Sequence, residues 1–170
     1  MPEKVLIVGD THVSSFEKLP KKMIKLIKET DWVIHVGDYI SIDVLYGFIQ
    51  IKGPRFRGVY GNADSLQIRT QTLAKDIIEI SKKRIGITHP ATGGNYENTK
   101  KKVLIEFRNY DLDAIVYGHT HEPHIENRNG VLIINPGKGY LEEHYFGTPT
   151  SVAVLEIGKE ITASIKIIDY

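Results

Sequence analysis

Seven side chains able to bind hard or borderline metal ions stand at the ends of short apolar runs. "VLIVGDTH" closes on Asp10 and His12, "WVIHVGD" on Asp38, "RGVYGNAD" on Asn62, "RIGITHP" on His89, and "AIVYGHTH" on His119 and His121. Two carboxylates, one carboxamide and four imidazoles offer more nitrogen and oxygen donors than one ion needs. Brought together, they suit a pair of ions ~3.5–4 Å apart that share a carboxylate. Imidazole mixed with carboxylate selects manganese, iron, zinc or nickel, and four histidines argue against a magnesium or calcium cage. The chain has no cysteine, which excludes thiolate metal sites, disulfides and cysteine nucleophiles together.

Those side chains need strands that end side by side. Runs of this length, rich in valine and isoleucine and closed by turn residues, read as buried strands. Helical patterns fall between them. "EKLPKKMIKLIKET" spaces Met23, Ile24 and Ile27 opposite a lysine-rich face. "SIDVLYGFIQ" offers Ser41 as an N-cap, and "NTKKKVLIEFRNYD" sets Val103, Leu104 and Phe107 on one face. Strands alternating with helices predict an α/β arrangement whose strand carboxyl ends gather on one edge, where such folds build their sites. Three hairpins complete the chain. "DIIEISKKRIGITH" turns near Lys82 and Lys83, "HIENRNGVLIINPG" at Asn129-Gly130, and "TSVAVLEIGKEITASIKIID" at Gly158-Lys159. Together these predict two mixed sheets packed face to face with helices outside, a four-layer α/β sandwich.

The 170 residues show no repeat or linker, so residues 1–170 read as one domain. A formal net charge of +1 lacks the basic excess of a dedicated nucleic-acid binder. No apolar stretch reaches the ~18 residues needed to span a bilayer. "KVLIVGD" shows no signal-peptide pattern, so a cytoplasmic protein without membrane contact is expected.

The ordered set D-x-H, G-D, G-N-x-D, a lone strand-end histidine and G-H-T-H resembles the calcineurin-like metallophosphoesterase superfamily. Within it, the chain is similar to the small YfcE-like phosphodiesterases, from Gly9 to Gly137 and in the family's order. The resemblance implies that Asp10, His12 and His121 hold one ion, that Asn62, His89 and His119 hold the other, and that Asp38 bridges them. It implies two divalent transition-metal ions, manganese first, with nickel, iron or zinc as alternatives. It also implies catalysis through Asp10, His12, Asp38, Asn62 and His89, by in-line attack of a metal-bridging hydroxide on a small, nucleotide-like phosphodiester. Asn62 and Lys138 are the expected substrate contacts. The same residues leave open a phosphomonoesterase and a non-enzymatic Vps29-like protein-binding scaffold. Homo-oligomerisation is expected from the family.

Three departures bear on these expectations. Many members carry a histidine, which helps protonate the leaving group, where this chain has Ala63; slower turnover or a preference for good leaving groups would follow. Asp64 reads as a hydrogen-bond acceptor behind the ligands. Pro90 follows His89 where glycine is usual, and "ATGGNYEN" reads as a mobile lid. Lys138 follows "NPG" where serine is usual, and "YLEEHYFGTPT" lacks the family's arginine. Elsewhere, His35 reads as a core or supporting histidine on the opposite strand face. His124 and His144 read as solvated, with His144 able to reach a substrate. The lysine clusters at 21–22, 82–83 and 100–102 read as solvated faces, and Trp32 and Phe107 as core. Tyr39 and Tyr60 either line the cleft or pack against it.

Overall fold

The computed structural model describes residues 1–90, 96–141 and 147–168. Strands β1 (Glu3–Val8), β2 (Trp32–His35), β3 (Phe56–Gly58), β9 (Ser151–Ile157) and β10 (Ile161–Ile167) form one sheet, in the order β10-β9-β1-β2-β3. Strands β4 (Lys75–Ile80), β5 (Lys83–Thr88), β6 (Ala114–Tyr117), β7 (His124–Arg128) and β8 (Val131–Asn135) form the other, in the order β4-β5-β6-β8-β7. The pairings β1/β2, β2/β3, β5/β6 and β6/β8 are parallel, and the rest are antiparallel. Both sheets are therefore mixed. Their parallel strands bring the expected ends to one edge.

Side chains alternate across each strand, so one sheet can bury two faces. Val5 and Ile7 of β1 meet Ile85, Ile87, Val116 and Ile134 of the facing sheet. Leu6 and Val8, one residue out of phase, meet Met23, Ile27, Val44, Leu45 and Phe48 of α1 (Lys21–Glu29) and α2 (Ile42–Lys52). On the far side, Val103 of α4 (Tyr96–Glu106) and Phe107 cover Ile115, Tyr117 and Ile133. The order helix, sheet, sheet, helix is the expected four layers.

Local signals placed most elements. Ser41 caps α2 by accepting the N–H of Asp43 at 3.3 Å. Asn129 and Gly130 take φ of 53° and 86°, the double left-handed turn that matches strand twist. The β4–β5 turn falls at Ser81-Lys82 (φ 49° and 66°), one residue earlier than expected. The lid reading of "ATGGNYEN" divides: residues 91–95 lie outside the described residues, and from Tyr96 the chain is already α4. The one-turn α3 (Leu66–Arg69) gave no periodic signal.

Several side chains differ from expectation. Phe107 is core, but Trp32 is half-buried at the rim, donating Nε1–H to Glu3 at 3.0 Å with Arg55 over its ring. Lys83 pairs with Asp113 at 3.2 Å and Lys100 with Glu126 at 3.4 Å, while the other clustered lysines are exposed. Among the described residues no helix is long and apolar enough to cross a membrane.

Candidate metal centre

The loops after β1, β2 and β6 leave their strands through an unusual backbone. Asp10, His12, Asp38, His119 and His121 take φ of 47°, 43°, 62°, 85° and 63°, in the left-handed region that side chains with a Cβ seldom occupy. Such conformations cost about 1–3 kcal/mol each and persist only where surroundings over-determine them. Here the loops hold one another. Asp10 donates its N–H to Gly37 at 2.9 Å, His12 donates to the Asp38 carbonyl at 3.3 Å, and His119 donates to Asp10 Oδ2 at 3.1 Å. Gly61 is required by contact, since a Cβ there would lie 2.1 Å from Asp38 Oδ1.

All seven predicted side chains converge. His121 Nε2 lies 3.3 Å and His12 Nε2 3.8 Å from Asp10 Oδ1. Asn62 Oδ1 lies 3.0 Å from His89 Nε2 and 3.1 Å from His119 Nδ1. Between these two groups stands Asp38, whose Oδ2 is 3.4 Å from His12 Nε2 and 3.4 Å from His89 Nε2. Asp10 reaches both groups, because its donor atoms lie within 4.8 Å of those of His12 and His121 and also of those of Asp38 and His89. His89 passes its Nδ1–H to the Val36 carbonyl at 2.7 Å, which leaves Nε2 as the nitrogen facing Asp38 and Asn62.

The electrostatics favour positive charge. Burial would raise the Asp10 carboxyl, yet His12 and His121 outweigh it and lower it to about 2. Asp38 is likewise held well below the carboxylate range, against its burial, by His12 and His89. In return Asp10 and Asp38 raise His12 to about 9, and Asp38 raises His89 against its burial. Asp10 Oδ1 and His12 Nε2 are buried with no hydrogen-bond partner. Ionised carboxylates, clustered imidazole nitrogens and buried ligand atoms without a hydrogen-bond partner fit divalent cations, which would displace the imidazole protons.

The surrounding residues sort themselves by contact. Asp64 accepts the N–H groups of Gly61, Asp38 and Ile40 at 2.7, 2.9 and 2.8 Å, which fixes the loops carrying Asn62 and Asp38. Arg69 reinforces this from outside, donating to the carbonyls of Asp64, Gly61 and Asn62 with its guanidinium over Tyr60. Tyr39 is fully buried and stacks on His35 at 3.7 Å, so it packs rather than lining the cleft. His35 bonds Thr11 and Gly37, supporting the Asp10–His12 loop from the helix side. Ala63 is exposed and donates its N–H to Asp38 Oδ1 at 2.9 Å. Lys138 is 5% exposed, its ammonium 4.9 Å over the Tyr140 ring. His124 keeps 39% of its side chain exposed, in line with the solvated reading, with Nε2 3.8 Å from Glu126 on the same strand face. His144 lies outside the described residues.

Sequence reasoning missed Tyr140 and Asn135. The Tyr140 ring packs edge-on against His12 and His121. Buried Asn135 donates to Thr120 Oγ1 and accepts from Gly137 N–H, both at 2.9 Å, tying "GHTH" to "NPG". A polar residue ending an apolar run was the one available signal, and only for Asn135.

The calcineurin-like phosphoesterase superfamily domain matches residues 4–160. The chain belongs to that superfamily. Among curated relatives, phosphodiesterase MJ0936 of Methanocaldococcus jannaschii is 30% identical, over 92% of this chain and 95% of that one. Among solved structures, the Thermotoga maritima protein TM1076 is 29% identical, covers 97% of this chain and 99% of its own, and has a TM-score of 0.71. Zinc-complexed Vps29 of Entamoeba histolytica is similar in fold to this chain, with a TM-score of 0.71 at 20% identity, covering 98% of this chain and 99% of its own.

Proposed function

We propose that residues 1–170 form one domain that hydrolyses small phosphodiesters at a two-ion centre. One observation carries the reading: Asp38 Oδ2 stands 3.4 Å from an imidazole nitrogen of each donor group, the position a shared carboxylate must take. Asp10, His12 and His121 would hold one ion, Asn62, His89 and His119 the other, with Asp38 between them. Bound divalent ions, manganese first, would supply an activated water at neutral pH and neutralise charge developing on the phosphoryl oxygens.

The chain's own residues account for the rest of the chemistry. Asp38 and Asp10, buried and ionised, fix the distance between the two donor groups. The Val36 carbonyl keeps His89 in the tautomer that offers Nε2. Asn62, exposed at the cleft and held through its carbonyl by Arg69, can turn its amide N–H to a phosphoryl oxygen while Oδ1 faces the histidines. Ala63 offers no proton to the departing alkoxide, so the site suits esters whose leaving group departs as a stable anion. The relative named a phosphodiesterase favours the diester over the monoester reading.

One observation favours a scaffold instead: Ile49 and Leu73 are 40% and 55% exposed and line a shared surface cavity of about 340 Å³ beside β3. The deciding experiment strips the protein of metal, reloads it with manganese, nickel, zinc or magnesium, and follows bis(p-nitrophenyl) phosphate beside p-nitrophenyl phosphate. The proposal expects metal-dependent turnover of the diester in excess of the monoester. No turnover with any metal would favour the scaffold.

A further inference from the structure

We propose that Tyr140 is a positioning residue for one ion only, the one held by Asp10, His12 and His121, so that the two halves depend differently on their surroundings. This rests on the two-ion reading above. A histidine that ligates through one nitrogen normally passes the N–H of the other to an oxygen, which fixes ring orientation and tautomer. In the Asn62 half that oxygen is the Val36 carbonyl, 2.7 Å from His89 Nδ1 and part of the buried β2 edge. In the other half, His121 turns Nε2 toward Asp10 Oδ1 at 3.3 Å and Nδ1 toward the Tyr140 hydroxyl at 3.5 Å. The two histidines thus rely on different kinds of acceptor, one on the backbone and one on a phenol.

Tyr140 is held to that task. Its ring lies edge-on to His12 at 5.6 Å and to His121 at 5.8 Å, while those two imidazoles pack edge-on to each other at 5.4 Å. The Lys138 ammonium covers the ring at 4.9 Å. The backbone is fixed on either side. Gly139 donates its N–H to the Asp10 carbonyl at 3.1 Å, the Lys138 carbonyl accepts from Ser151 at 3.0 Å, and Thr150 Oγ1 donates to the Tyr140 carbonyl. Gly139 must be glycine, since a Cβ would lie 2.6 Å from the Gly9 carbonyl. The segment therefore presses directly on the loop that carries Asp10 and His12. Removing the hydroxyl leaves His121 Nδ1–H without its oxygen and that imidazole less tightly oriented. The Asn62 half, braced by Val36, Asp64 and Arg69, does not depend on it.

The test is a manganese titration of metal-stripped protein, read by calorimetry and by the electron paramagnetic resonance of free and bound ion. Wild type is expected to take up two ions. Tyr140→Phe keeps the ring and is expected to weaken one ion by ~10–100-fold while the other keeps its affinity. Tyr140→Leu, which also removes the edge contacts, is expected to weaken the same ion further. His121→Ala should abolish that ion, and adding Tyr140→Phe to it should leave the remaining ion unchanged. Unchanged affinities in Tyr140→Phe, or equal weakening of both ions, overturns the proposal and leaves the two-ion reading standing. A wild-type chain that binds no ion overturns both.

Discussion

His35 is the clearest place to test how the helix side supports the metal loops. Its ring is fully buried on β2 and stacks on Tyr39 at 3.7 Å; Nδ1 accepts the Gly37 N–H at 3.1 Å, so Nε2–H donates to Thr11 Oγ1 at 3.0 Å. Burial penalises the charged form and lowers the histidine from 6.5 to about 3. The unfolded chain therefore takes up a proton near pH 6.5, while the folded chain resists it until about pH 3. Stability from this group is present above pH 6.5 and is lost progressively as pH falls between those values. The slope approaches about 1.4 kcal/mol per pH unit, so lowering the pH from 7 to 4.5 removes about 3 kcal/mol. At roughly 2–4 °C per kcal/mol for a chain of this size, that is a Tm difference of about 6–12 °C. The assay is urea unfolding of metal-free protein at both pH values, for wild type and His35→Gln. Carboxylates and other histidines titrate in both proteins, so only the difference reports on His35. Wild type should lose about 3 kcal/mol more than the variant. Equal losses would refute the claim that His35 is held neutral by burial.

Other consequences follow from the same geometry. Ala63→His places an imidazole at an exposed position without disturbing the Ala63 N–H bond to Asp38; it should raise kcat on alkyl-leaving diesters ~100-fold or more and leave p-nitrophenyl diesters little changed. A uniform change across leaving groups would contradict the leaving-group argument. Asp64→Ala leaves the N–H groups of Gly61, Asp38 and Ile40 without their acceptor, and at ~1–3 kcal/mol per unmet group should cost about 3–9 kcal/mol in chemical denaturation. A loss below about 1 kcal/mol would mean that water replaces the carboxylate. Asp10 and Asp38 raise His12 to about 9, so the metal-free chain holds a proton there at pH 7.5 that an arriving ion must displace. Calorimetry in two buffers of different ionisation enthalpy should detect proton release on metal uptake, with affinity rising as pH rises towards 9. Release of no protons would mean His12 is not a ligand.

The architecture was legible because its signals are local. Val5, Leu6, Ile7 and Val8 are all fully buried, and a run this short, rich in β-branched residues and closed by Gly9, reads as a strand covered on both faces. The strand-end donors were legible for a related reason: Asp10, Asp38 and His119 each follow a glycine that the crowded edge requires, and that pairing survives in sequence. What escaped depends on tertiary approach. A histidine at φ 63° or 85° carries no propensity that announces it, because its neighbours impose the conformation. Tyr140 meets His12 across more than a hundred residues of chain, and nothing around "GKGY" points at a histidine. Trp32 packs against the core but is only half-buried, because its indole N–H meets Glu3 at the rim. His124 and Glu126 lie two residues apart on β7 and so share a face of that strand, which leaves the His124 ring 39% exposed beside the carboxylate.

The central claim is that Asp38 joins two donor groups into one catalytic unit. The most direct measurement follows diester turnover and bound manganese in the same titration of metal-stripped protein, for wild type and Asp38→Asn. Turnover that rises only as the second equivalent binds, and that is lost in Asp38→Asn, is the predicted result. Full turnover at one equivalent, or an Asp38→Asn protein as active as wild type, would contradict it.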